Sequence, residues 1–100
     1  PAGSPVAARQ AVSAQSEGKQ DWRSRKEEQA KLRKKQNELK KTEDKIASLE
    51  ARDSELDEQL MRPEVASDAG ELLKIDREKE AVRQQLEQLD DVWENLAQDV

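Results

Sequence analysis

Ten cations give this 100-residue chain its most definite chemistry: Arg23, Arg25, Lys26, Lys31, Arg33, Lys34, Lys35, Lys40, Lys41 and Lys45. A surplus of lysine and arginine along one rod-like element attracts phosphate backbones without reading base sequence. The same residues also suit a solvated helix surface, where a glutamate pairs with a lysine four positions on, as Glu27 and Lys31 are spaced to do. Residues 19–45 hold eleven Lys/Arg against six Asp/Glu, a net +5, and residues 46–100 hold six against sixteen, a net −10. The overall −5 therefore conceals a basic segment beside an acidic one. The basic run is not interleaved with aromatics, which argues against base stacking on single strands.

Most other chemistry is excluded. There is no Cys and no His, so disulfides, thiol or imidazole catalysis and the usual zinc sites are ruled out. The carboxylates are spread along helical faces that offer no water-excluding pocket, so no general acid–base pair is expected. No glycine-rich phosphate loop is present, and Gly70 stands alone at a helix start. The stretch is expected to be no enzyme and to hold no cofactor. No apolar run approaches the roughly 18 residues of a membrane span, and no secretory signal is visible. A cytoplasmic location away from the membrane is the expectation.

The elements that position the cations follow from spacing. With 41% charged residues and no Phe or Tyr, the chain lacks bulk for a layered core. Its apolar residues instead recur in steps of three and four, as in coiled coils. One stripe reads Leu32, Lys35, Leu39, Thr42, Ile46, Leu49, Asp53, Leu56, Leu60. A second reads Leu72, Ile75, Lys79, Val82, Leu86, Leu89, Trp93, Leu96, Val100. Between them the pattern breaks. Pro63 lacks an N–H and disfavours helix at Arg62, while Asp68 with Glu71 three positions on fits a capping box. Ser24 and Glu27 form another S-x-x-E start signal.

These signals predict an all-α fold: a two-helix antiparallel coiled-coil hairpin with a flexible N-terminal linker. The linker is residues 1–21 and the hairpin domain residues 22–100, with helices over about 24–62 and 69–99 and a turn over about 63–68. The linker's Ala, Ser, Gly, Gln and Pro show no period, and such a linker implies that something larger precedes it. Antiparallel pairing brings Trp93 near Leu39 or Thr42, where the first stripe is weakest. In one register Asp53 faces Lys79 across the seam; a half-layer shift pairs Asp53 with Val82 instead. Trp22 either folds back onto the open end or is an exposed contact residue. A monomer is expected, with pairing of two extended chains as the alternative.

Three stretches are recognisable together. Ser24-Arg25-Lys26-Glu27-Glu28-Gln29-Ala30-Lys31-Leu32-Arg33-Lys34 opens a charged helix, Pro63-Glu64-Val65-Ala66-Ser67-Asp68 makes the turn, and Asp91-Val92-Trp93-Glu94-Asn95-Leu96 lies near the end of the second helix. In order and spacing they resemble the C-terminal coiled-coil domain of ABC-F family ATPases, the Uup-like branch, over about residues 20–100. Ala66 departs from the family pattern, whose turn often carries an aromatic residue. The resemblance implies that this domain follows two ATP-binding cassettes and a polar linker in a protein without transmembrane domains. It implies ATP and Mg for those cassettes, which lie outside these residues. It also implies a role in translation at the ribosome, or DNA binding through the basic residues. The partner is thus DNA or structured RNA, ribosomal or transfer. A protein-interaction coiled coil without nucleic-acid binding is the alternative.

Overall fold

A computed structural model describes the backbone of residues 5–99 and the side chains of residues 18–99. Helix α1 runs Pro5–Leu60, α2 is a single turn over Pro63–Ala66, and α3 runs Ala69–Gln98. No strand occurs among the described residues. Residues 1–34 form one compact unit and residues 35–100 another.

In the first unit the helix starts earlier than Ser24. Ser24 lies inside α1, and helix replaces the period-free linker from Pro5 onward. Pro5 stands at the first helical position, where its missing N–H costs nothing. Beyond it Ala7, Ala8, Ala11 and Ala14 are strong helix formers, and extending an existing helix escapes the nucleation penalty. The first four residues of the expected linker lie outside the described residues. All side chains from Gly18 to Lys34 are exposed, including Leu32 at 41%.

In the second unit, α1 and α3 meet through a series of side-chain contacts. Lys35 pairs with Asp99, Glu43 with Trp93, Arg52 with Glu78, and both Asp53 and Asp57 with Lys79. Numbers rise on α1 as they fall on α3, so these two helices run antiparallel. The expected stripes face inward between them from Leu39 to Leu60 and from Leu72 to Leu96, whereas Leu32 and Lys35, at the start of the first stripe, are exposed. Among the described residues Leu56, Ile75 and Val82 are the buried apolar side chains, and Thr42 is buried with them. Leu39, Ile46, Leu49, Leu60, Leu72, Leu86, Leu89 and Leu96 are half-buried. Trp93 departs from its expected core position: it is 38% exposed. Its indole N–H donates to Glu43 Oε1 at 3.0 Å, and satisfying that donor draws the ring to the rim of the seam. Val100 lies outside the described residues. Thr42 joins the core because its hydroxyl donates to the Glu38 carbonyl one turn back, at 2.8 Å, leaving its methyl to pack.

The break between the long helices is built as its residues dictate. Arg62 takes extended geometry (φ −74°, ψ 129°), as a residue before proline prefers. Pro63 then opens α2, and Ser67 donates its hydroxyl to the Pro63 carbonyl at 2.9 Å. The turn therefore contains a helical turn of its own, and α1 stops at Leu60 rather than at residue 62. Val65, half-buried, is the inward residue of this turn, and α2 packs on α3. Asp68 caps α3: its Oδ1 accepts from the N–H groups of Gly70 at 3.0 Å and Glu71 at 3.2 Å. The reciprocal half of the capping box is absent: the Asp68 N–H donates to the Val65 carbonyl at 3.0 Å, and Glu71 pairs with Lys74 at 3.4 Å. Replacing Asp68 with alanine orphans two donors, and is expected to cost about 0.5–2 kcal/mol by urea unfolding.

The charged layer takes the register that opposes Asp53 to Lys79, not Val82. Their atoms lie 3.1 Å apart, and Lys79 also contacts Asp57. These hydrogen bonds, to Asp57 first and Asp53 second, push the Lys79 pKa above its usual value. One residue to the side, Arg52 engages its whole guanidinium: Nε and Nη2 donate to Glu78 at 2.7 and 3.0 Å, and Nη1 donates to Glu55 at 3.0 Å. The Arg52 hydrogen bonds hold the Glu78 carboxyl below the usual 4.5. A lowered folded-state pKa adds stability above the unfolded value and loses it as pH falls through the folded one. Glu78→Gln should therefore unfold at lower urea than the parent at neutral pH. The gap should close once pH drops below the glutamate range; a gap unchanged at acid pH would contradict this assignment.

Candidate nucleic-acid interface

Every one of the ten expected contact residues lies on α1. Arg23, Arg25, Lys26, Lys31, Arg33 and Lys34 belong to the first unit, and Lys35, Lys40, Lys41 and Lys45 to the second. All ten are exposed. The sequence places them on a helix, and the absence of apolar spacing among residues 19–34 leaves that helix no face to bury.

Their pairing differs from that of the later cations. Only Lys35 and Lys41, among the ten, have a described carboxylate within ion-pair distance, from Asp99 at 3.5 Å and Glu38 at 3.7 Å. Glu27 and Lys31, spaced for an i,i+4 pair, do not form one among the described residues. Arg25 turns its Nε to the Asp21 carbonyl at 3.4 Å, and Lys26 lies over the Trp22 ring at 4.3 Å. The cations after residue 46 behave differently. Arg52, Lys74, Lys79 and Arg83 are all held in ion pairs. Among the described residues, then, four of the six cations after residue 46 are ion-paired, against two of the ten expected contact residues before it.

Trp22 is the exposed alternative of the two expected for it, at 55%. In the second unit, Leu49, Leu89 and Val92 line an open groove with Lys45, Ser48 and Gln85. Sequence reading passed over this groove, although Val92 flanks the apolar stripe and its neighbours Gln85 and Gln88 are uncharged in an otherwise acidic helix. The Arg52–Glu78 pair was also missed; both residues immediately precede the Asp53 and Lys79 that were expected to meet. Among the described residues, no group of three or more acidic side chains is placed to hold a metal ion. No described helix is long and apolar enough to cross a membrane.

No curated protein and no solved structure matches this chain. Residues 30–98, however, match the ABC transporter C-terminal domain family. The matched span takes in the charged layer, the proline turn and the whole of α3. The chain belongs to the ABC transporter C-terminal domain family.

Proposed function

We propose that this chain is the antiparallel coiled-coil hairpin of an ABC-F ATPase of the Uup-like branch, and that it contacts DNA, ribosomal RNA or transfer RNA. The contact residues are the ten cations between Arg23 and Lys45. One observation carries this reading: eight of the ten have no described carboxylate partner, whereas four of the six later cations are ion-paired. A cation without an internal partner keeps its full attraction for phosphate and breaks no ion pair on binding.

The mechanism is electrostatic. Each ammonium or guanidinium that neutralises a phosphate releases a condensed counterion, so binding is salt-dependent and weakly selective for sequence. The hairpin itself catalyses nothing. ATP and Mg²⁺ would belong to the cassettes of the longer protein, where hydrolysis would drive the step that this arm positions on nucleic acid. The arm acts in the cytoplasm, as a monomer and away from the membrane, in translation or on DNA.

A second reading has its own observation. The groove lined by Leu49, Leu89 and Val92 could receive a protein segment without any nucleic acid. Capture from a cell lysate, with and without nuclease, separates the two. Partners lost on nuclease treatment are bridged by nucleic acid, as the proposal expects. Partners fully retained support the groove and overturn the proposal.

A further inference from the structure

We propose that Trp22 stacks against an unpaired base, so that the first unit takes nucleic acid offering a single-stranded segment. This rests on the phosphate-contact reading above and names its substrate class more narrowly. Two observations support this role. Trp22 is 55% exposed, although a residue of that size in a structural role is normally covered. The ammonium of Lys26 lies 4.3 Å from the ring centroid, one helical turn on. The indole therefore has a cation against it while more than half of its surface stays open.

That combination suits a nucleotide. The indole face takes the base, and Lys26, Arg23 and Arg25 stand within a turn of it to take the adjoining phosphates. A duplex offers no free base face, so its phosphates would engage the cations alone. The absence of interleaved aromatics argues against a long stacking track, and one indole serves one base.

The two tryptophans allow a direct test in the full chain. In a Trp93→Phe background Trp22 is the sole fluorophore, and it is titrated with oligothymidylate, a blunt duplex and inorganic polyphosphate. Stacking predicts strong quenching by oligothymidylate and little by polyphosphate, which carries the charge without bases. Trp22→Ala should lose roughly fivefold to hundredfold in affinity for the single strand. It should leave duplex affinity unchanged, and Trp22→Phe should keep most of the single-strand affinity. Single-strand binding without quenching, or equal losses on strand and duplex, overturns the stacking while phosphate contact stands. Failure of every nucleic acid to bind overturns the phosphate-contact reading and this inference with it.

Discussion

Reversing Arg33, Lys34, Lys40 and Lys41 to glutamate is expected to cost about a hundredfold or more in nucleic-acid affinity near 0.1 M salt. The size follows from counterion release. Each phosphate neutralised contributes about 0.9 to the slope of log affinity against log salt, so removing four such cations flattens it by up to about 3.6. All four side chains are exposed, and among the described residues only Lys41 has a carboxylate, Glu38 at 3.7 Å, within reach. The reversal should therefore leave helix content intact, which circular dichroism checks alongside a fluorescence-anisotropy titration. An affinity within twofold of the parent, with helicity retained, would remove these residues from the interface. The same reversal made at Arg52 and Lys79 should act instead on stability, because those cations are tied to Glu78, Glu55, Asp53 and Asp57.

The largest stability effect is expected at Leu56. Among the described residues it is the one fully buried side chain, at 0% exposure, in a seam whose other buried apolar members are Ile75 and Val82. Two packed helices have little surrounding structure with which to refill a void. Leu56→Ala should cost about 2–5 kcal/mol. Domains of this size are stabilised by only about 5–15 kcal/mol in total, so a large part of the margin would go. The melting temperature should fall by roughly 10 °C or more. Urea unfolding followed by helical ellipticity measures the change, and a loss under about 1 kcal/mol would mean that Leu56 is not the centre of the seam. Leu73→Ala is the matched control: Leu73 is 51% exposed on α3 and should change little.

Much of this architecture was legible in the spacing of residues. The stripes from Leu39 to Leu60 and from Leu72 to Leu96 are the inward positions, because three- and four-residue steps can face only one partner helix. Asp53 and Lys79 left two registers open, and the structure takes the one in which the two charges on otherwise apolar seams meet. Pro63 and Asp68 gave the break. Local signals failed where context outweighed them. The S-x-x-E pattern at Ser24 reads as a helix start, yet a helix already running from Pro5 passes through it. Trp93 fits the stripe by position, but its N–H needs an acceptor that an apolar seam lacks, and Glu43 at the rim supplies one. The basic residues were visible as a class. Which of them lacked a carboxylate partner depended on rotamers and cross-helix neighbours that no spacing encodes.

The proposed phosphate contact through the exposed cations between Arg23 and Lys45 is an equilibrium that salt opposes. Its most direct test is the affinity of the unaltered chain for a labelled duplex, measured across a range of salt concentrations. A linear fall of log affinity with log salt, at a slope of several units, is expected if those cations neutralise phosphates. No measurable binding at low salt, or binding indifferent to salt, would contradict it.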